Sequence, residues 1–284
     1  MDSPRKKITR HQSRSRLRPI EGRHNAFVKQ LRRAFSTAEL TEDGCCAIEG
    51  LRIVEEAIRS GMRFRAVFFS ASADEKAERL LPQIGAQVET VVLPDPLFAS
   101  VVPSETPQGV AALVHWRKSS LEDVLAHAET GPLLAIAGVQ DPGNLGTILR
   151  SAEAFAAAGV LLGEGTVSVF NSKVVRASAG SVFRLPTAQV KLEDAIEQLR
   201  QAGIKLIATS SHKGTPLPEA NLVGPLAIFI GNEAAGLPKK LVGAVDQLIS
   251  IPHSSQVESL NAGVAASIAL YEAARQKSIE SLNQ

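Results

Sequence analysis

The sequence predicts an α/β protein in two parts: a smaller α/β domain, then a larger domain built on a parallel sheet. Three observations predict this. The 284 residues exceed the roughly 100 to 200 of one ordinary domain. Strand-like and helix-like runs alternate along the chain, the pattern of α/β folds. From residue 132 the strand-like runs become wholly apolar, as strands do when helices cover both faces of a parallel sheet.

In order along the chain, residues 1–22 read as a basic flexible tail. Arg5, Lys6, Lys7, Arg10, Arg14, Arg16, Arg18 and Arg23 face only Asp2 and Glu21 in the first 24 positions, while the whole chain carries a net charge of +2. Such a segment predicts a polyanionic partner, because each phosphate that a Lys or Arg neutralises releases counterions. A solvated tail without a partner is the plainer alternative.

Residues 23–117 form the first predicted domain. Its opening helix, 25–35, places Phe27, Leu31 and Phe35 four apart, with Lys29, Arg32 and Arg33 off that line, an amphipathic helix with a basic face. A strand at 45–48, a helix at 50–60 with Leu51, Val54 and Ile58 inward, and a strand at 65–70 follow. A helix at 74–84, a strand at 88–93 and the apolar run 109–114 complete it.

Residues 118–130 read as a linker with room for one helical turn or more. Residues 131–284 then carry strand runs at 133–139, 159–162, 204–209, 226–230 and 248–251, and a final helix over 257–275. Ligands of such sheets bind beyond the carboxyl ends of the strands, so chemistry is expected in the loops after these runs.

Composition narrows the function. The apolar runs 133–139 and 154–162 are far shorter than the ~20 residues of a membrane helix, so a soluble protein is expected. No apolar stretch follows the basic N-terminus, so no signal peptide is expected and the cytoplasm is the natural compartment. Cys45 and Cys46 are adjacent and cannot staple distant segments. The six histidines lack the spacing of zinc ligands, so metal-free chemistry is expected. Neither a phosphate-binding P-loop motif nor G-x-G-x-x-G occurs. Three other segments instead place Asn, Glu, Arg or Ser beside Gly and Pro after strands: DPGNLGTILRSAEAF at 141–155, GNEAAGLP at 231–238 and IPHSSQVESLNAG at 251–263.

These segments, in this order and spacing, resemble the three motifs of the SpoU (TrmH) family of RNA ribose 2'-O-methyltransferases in the SPOUT superfamily. KVVRASAGSVFRLP at 173–186 and the C-terminal helix ending YEAARQ extend the resemblance over about 131–277. The segments HNAFVKQL, EGLRIVEEAI and TPQGV resemble the L30e-like substrate-binding domain of rRNA-directed members. The resemblance implies a deep trefoil knot, S-adenosyl-L-methionine as cofactor and a homodimer whose site is completed across the interface. It places Asn144, Arg150, Glu233, Ser259 and Asn261 in the active site, and Thr209, Gly231, Ile251 and Leu260 around the cofactor. It favours rRNA over tRNA, because tRNA-directed members usually lack the front domain. His253 departs from the family, which usually carries Met there.

The chemistry agrees with these residue types. Methyl transfer from a sulfonium needs an oxygen nucleophile held in line and an exit for its proton. Arg150 is suited to clasp a phosphate in bidentate fashion. With a pKa above ~12 it is a poor base, and a substrate phosphate is a candidate proton acceptor. A ring-nitrogen target would better suit a carboxylate base, for which Glu233 and Glu258 are the motif candidates. Plainer roles stand beside these: Asn144, or Ser259 with Asn261, as helix caps, Arg150 as a surface helix residue, and Glu233 as a helix N-terminal charge. RNA contacts are expected from Arg5, Lys6, Lys7, Arg10, Arg14, Arg16, Arg18, Lys29 and Arg52. A non-catalytic RNA-binding assembly factor is the rival reading.

Overall fold

A computed structural model describes residues 16–211 and 213–282. Arg5, Lys6, Lys7, Arg10 and Arg14 of the expected RNA contacts lie outside the described residues. The chain divides into two compact units. The first ends at Arg117 and also takes in Phe170–Val175; the second comprises Lys118–Val169 and the chain from Arg176 onward.

The first unit holds β1 (Arg18–Pro19), α1 (Ala26–Thr37), β2 (Cys45–Glu49), α2 (Leu51–Arg59), β3 (Phe64–Ser70), α3 (Asp74–Leu80), β4 (Glu89–Leu93), α4 (Asp95–Ala99) and β5 (Val110–His115). Its sheet has the order β1-β4-β3-β5-β2, with β5 antiparallel to both β3 and β2 and the remaining pairs parallel. Helix α1 buries Val28, Leu31 and Ala34 against Cys45, Ala47, Phe68, Val91 and Leu113. Each large apolar side chain buried this way contributes about 1.5–3 kcal/mol. The buried stripe is thus turned from the expected Phe27 and Phe35, which pack only at its margin. The Arg65 guanidinium lies 5.0 Å over the Phe27 ring, which lets that ring stay partly exposed.

Two expectations are corrected here. The helix expected over 74–84 ends at Leu80 and tightens into a 3-10 turn over Leu81–Gln83, with Pro82 early in it; proline has no N–H to continue an α-helix. The tail does not extend to residue 22. Strand β1 pairs with Val91 and Val92, and Arg16 donates to the carbonyls of Leu81, Ile84 and Gly85, its shortest bond 2.8 Å. Arg16 therefore ties the chain to the end of that turn. Arg18 lies 3.9 Å from Glu89. Lys29 and Arg52 are exposed on α1 and α2. Cys45 and Cys46 are buried and unpaired with each other, and burial pushes both thiols up.

The second unit holds α5 (Leu121–Leu125), β6 (Leu133–Ile136), α6 (Pro142–Ala154), β7 (Gly159–Leu162), β8 (Thr187–Gln189), α8 (Leu192–Gln201), β9 (Lys205–Ser210), β10 (Thr215–Pro216), β11 (Leu226–Ile230), α9 (Lys239–Val242), β12 (Gln247–Ser250) and α10 (Ala262–Leu282); α7 (Ser172–Ala177) spans the junction of the two units in sequence. The sheet is parallel throughout, in the order β10-β12-β9-β11-β6-β7-β8. The central strands β6, β7 and β11 are buried at every position. Short α5 starts at a capping box formed by Ser120 and Asp123, so part of the expected linker is ordered.

The last helix begins at Ala262, five residues later than expected, and continues to Leu282. Asn261 sets that start, its side-chain oxygen accepting the Val264 N–H at 3.2 Å, so 257–260 is loop. Helix α10 lies close along α6. A Cβ on Gly263 would stand 3.2 Å from the Thr147 side chain, and Ser151 and Ser267 share a 2.7 Å hydroxyl contact.

Candidate active site

The loop after β11 is shaped by its own sequence. A Cβ on Gly231 would lie 2.4 Å from the Gly236 carbonyl carbon, so only glycine lets the two ends of the loop meet. Asn232 then closes the turn. Its backbone pairs both ways with Gly236 at 3.0 and 2.9 Å, its side-chain oxygen accepts the N–H groups of Ala234 and Ala235, and its amide donates to the Gly138 carbonyl at 2.7 Å. Gly236 sits at φ +66°, a conformation that glycine adopts without penalty. The Asn232 amide thereby fastens this loop to the end of β6.

Three loops converge at that point. Asp141 caps α6 by accepting the Asn144 N–H at 2.7 Å, so Asn144 is not the cap and its side chain is available elsewhere. The Asn144 amide donates to Glu233 Oε1 at 2.9 Å. The Asn261 amide donates to Asn144 Oδ1 at 2.8 Å. Residues from all three sequence motifs are thus joined in one chain of hydrogen bonds. Asn261 caps α10 with its oxygen and holds Asn144 with its nitrogen. Glu233 lies in the tight turn, not at a helix N-terminus.

Beside this chain opens a cleft of about 470 Å³, within the range of small-molecule sites. Thr209, Gly231, Ile251 and Leu260 all line it, together with Glu233, Glu258, Ser259 and His253. The Thr209 hydroxyl donates to the Phe229 carbonyl, and His253 Nδ1 lies 2.7 Å from the Ile251 carbonyl. The walls combine apolar Ile230, Leu237, Ile251 and Leu260 with small Ala and Gly residues that expose backbone, and carboxylates at the rim. That donor set fits a cationic ligand with a flat aromatic part, as S-adenosylmethionine is. Ser259 reaches the cleft but makes no hydrogen bond to the Asn144 chain.

Arg150 stands apart. It is exposed on α6, six residues beyond Asn144 and therefore about 9 Å further along the axis. Among the described residues it makes no hydrogen bond or ion pair. On the same helix, Glu153 is held below its usual range by the Arg184 guanidinium, which binds it in bidentate fashion, one arm at 2.8 Å. Sequence reasoning missed Asn232 and Asp141, although both stand inside motif segments and are residue types that close turns and cap helices. Among the described residues, no group of three His, Cys, Asp or Glu side chains is arranged to hold a metal ion.

Fold and site together define an α/β protein that holds a small organic ligand beyond the carboxyl ends of a parallel sheet, next to a polar cluster. The model of the SpoU rRNA Methylase family matches residues 132–271, and that of the MRM3-like substrate binding domain matches residues 25–112. The 23S rRNA (guanosine(2553)-2'-O)-methyltransferase RlmP of Bacillus subtilis (strain 168) is 33% identical over 255 residues, which span 90% of this chain and 98% of that protein. The 23S rRNA (uridine(2479)-2'-O)-methyltransferase of Streptomyces viridochromogenes is 31% identical over 245 residues, 84% of this chain and 85% of its own. The AdoMet-bound rRNA methyltransferase from Sinorhizobium meliloti superposes with a TM-score of 0.79 at 29% identity, covering 92% of this chain and 98% of that one. The chain belongs to the SpoU rRNA methylase family.

Proposed function

We propose that the protein is an S-adenosylmethionine-dependent 2'-O-ribose methyltransferase acting on ribosomal RNA of the large subunit. The observation that carries this reading is the Glu233–Asn144–Asn261 chain beside a cleft suited to that cofactor. The names of the relatives support it: two act on 23S rRNA at ribose oxygens, and two similar structures hold AdoMet. When bound, S-adenosylmethionine supplies an electrophilic methyl group and a neutral thioether leaving group.

In this reading Thr209, Gly231, Ile251 and Leu260 hold the cofactor, Asn144 and Asn261 orient Glu233, and Ser259 and Arg150 engage the RNA. Arg150 clasps a phosphate beside the target ribose, where its charge stabilises the developing oxyanion. The tail cations, with Lys29 and Arg52, add affinity for RNA that is independent of sequence.

The finer assembly belongs to the same proposal. Val264, Tyr271 and Ile279 are exposed along α10 at spacings of seven and eight, one face of a helix. A second copy covering that face would make the homodimer and bring another Arg150 to the cleft. The trefoil knot is proposed on family membership. Among the described residues no helix is long and apolar enough to cross a membrane, and an rRNA substrate agrees with action in the cytoplasm.

The deciding experiment labels rRNA from cells lacking the protein, using methyl-tritiated cofactor, and hydrolyses it in alkali. A 2'-O-methyl blocks cleavage and leaves the label in a dinucleotide; label in mononucleotides overturns the reading.

A further inference from the structure

From the cleft geometry we infer that Glu233 is the proton acceptor, its Oε2 taking the 2'-hydroxyl proton as the methyl group is transferred. The inference deepens the methyltransferase reading and rests on it. Glu233 lines the cleft and is exposed. Only Oε1 is engaged, by the Asn144 amide at 2.9 Å; among the described residues none hydrogen-bonds to Oε2. The carboxylate is nonetheless fixed in direction, because Asn144 is held by Asn261 at 2.8 Å and Asn261 is anchored at the start of α10. One oxygen is therefore pinned while the other carries no hydrogen bond from the described residues, on a side chain that lines the cleft, the arrangement a general base needs.

The other charged groups nearby serve this step less well. Arg150 has no lone pair to accept a proton. Asp141 accepts the Asn144 N–H as the cap of α6. His253 points Nδ1 at the carbonyl of Ile251, in its own loop. Glu258 lines the cleft without any link to the asparagine chain. The step balances: the new bond joins the 2'-oxygen to the methyl carbon, and the broken bond joins that carbon to sulfur, which keeps the electron pair. The proton moves to Glu233 and then to water.

The test compares Glu233→Gln and Glu233→Ala with the wild type. Gln keeps an oxygen for Asn144 but cannot take the proton, so single-turnover methyl transfer to rRNA at saturating S-adenosylmethionine should fall about 100-fold or more. Formate should restore turnover to Glu233→Ala in proportion to its concentration. A binding readout separates contact from catalysis, using a short RNA spanning the nucleotide mapped by alkaline hydrolysis, with S-adenosylhomocysteine present. Wild type should prefer ribose over 2'-deoxyribose at that nucleotide by about tenfold, as for a hydrogen bond to a charged group, and Glu233→Ala should lose the preference. Glu233→Gln turning over within five-fold of wild type, or no formate rescue, overturns the inference. A wild type that methylates no RNA overturns the reading beneath it instead.

Discussion

Asn261 donates its side-chain amide to the side-chain oxygen of Asn144 at 2.8 Å, across 117 positions of sequence. The same asparagine accepts the Val264 N–H, so the start of α10 and the orientation of Asn144 are set by one residue. Asn261→Ala removes both interactions. Loss of the cap costs about 1 kcal/mol, a fall in Tm of roughly 2–4 °C for a chain of this size. Methyl transfer should fall far more than that stability loss implies, because Asn144 and Glu233 lose their register. Retained turnover with the lowered Tm would reduce Asn261 to a cap.

Gly231→Ala tests the cofactor loop. The new methyl would meet the Gly236 carbonyl carbon at 2.4 Å, so the turn that Asn232 closes must open. A strain of about 1–3 kcal/mol is expected, concentrated in the cleft wall. S-adenosylmethionine affinity should drop at least tenfold in calorimetric titration while the bulk of the protein stays folded; unchanged affinity would place the cofactor elsewhere.

The two sheets were legible because buried parallel strands and alternating helices write their own period, and LAIFI at 226–230 matches β11 residue for residue. What escaped depends on contacts between distant residues. Strand β1 is two residues long and exists because Val91 and Val92 receive it. The start of α10 moved to Ala262 because Asn261 caps it, and nothing local excludes a helix from Val257 on. In the site, the three motif segments were legible, whereas the wiring of Glu233, Asn144 and Asn261 was not. Which asparagine donates to which partner is decided by the meeting of three loops.

The basic N-terminal segment should show two separable effects. Deleting residues 1–15 removes Arg5, Lys6, Lys7, Arg10 and Arg14. The slope of log K against log salt for RNA binding should flatten by about 0.7–0.9 for each phosphate that these cations no longer neutralise. Extending the deletion to residue 22 also removes the Arg16 bonds to Leu81, Ile84 and Gly85, the pairing of β1 with Val91 and Val92 and the buried Ile20. Thermal melts should therefore show the longer deletion less stable than the shorter by at least about 2 kcal/mol. Equal melting temperatures would mean that residues 16–22 contribute nothing to stability.

Glu153 supplies a pH dependence. Its carboxyl is held below the ordinary value of 4.5 chiefly by the Arg184 guanidinium. A carboxylate depressed in the folded state contributes stability above its unfolded value, and that contribution fades as pH falls through the folded value. Glu153→Gln should destabilise the protein at neutral pH by up to about 1 kcal/mol, as for a partly exposed pair. Below pH 4.5 the gap from wild type should close. A gap independent of pH would assign the loss to packing.

Arg150 lies six residues along α6 from Asn144, about 9 Å up the axis, while the cleft is lined by Gly231, Ile251 and Leu260. Arg150→Ala should abolish methyl transfer and leave cofactor affinity within a few-fold, since the cleft walls do not include it. If the exposed face of α10 is covered by a second copy, the cleft of one chain works with the Arg150 of the other. Arg150→Ala and Gly231→Ala chains, assayed at an S-adenosylmethionine concentration too low to fill the Gly231→Ala cleft so that each is inactive alone, should then complement when unfolded together and refolded. Random pairing gives half mixed dimers, each with one intact site, so about a quarter of wild-type activity should return for a closed two-fold assembly. If each chain supplied both parts of its own site, every site in the mixture would carry a defect and no activity would return; light scattering on the same samples shows whether dimers formed at all.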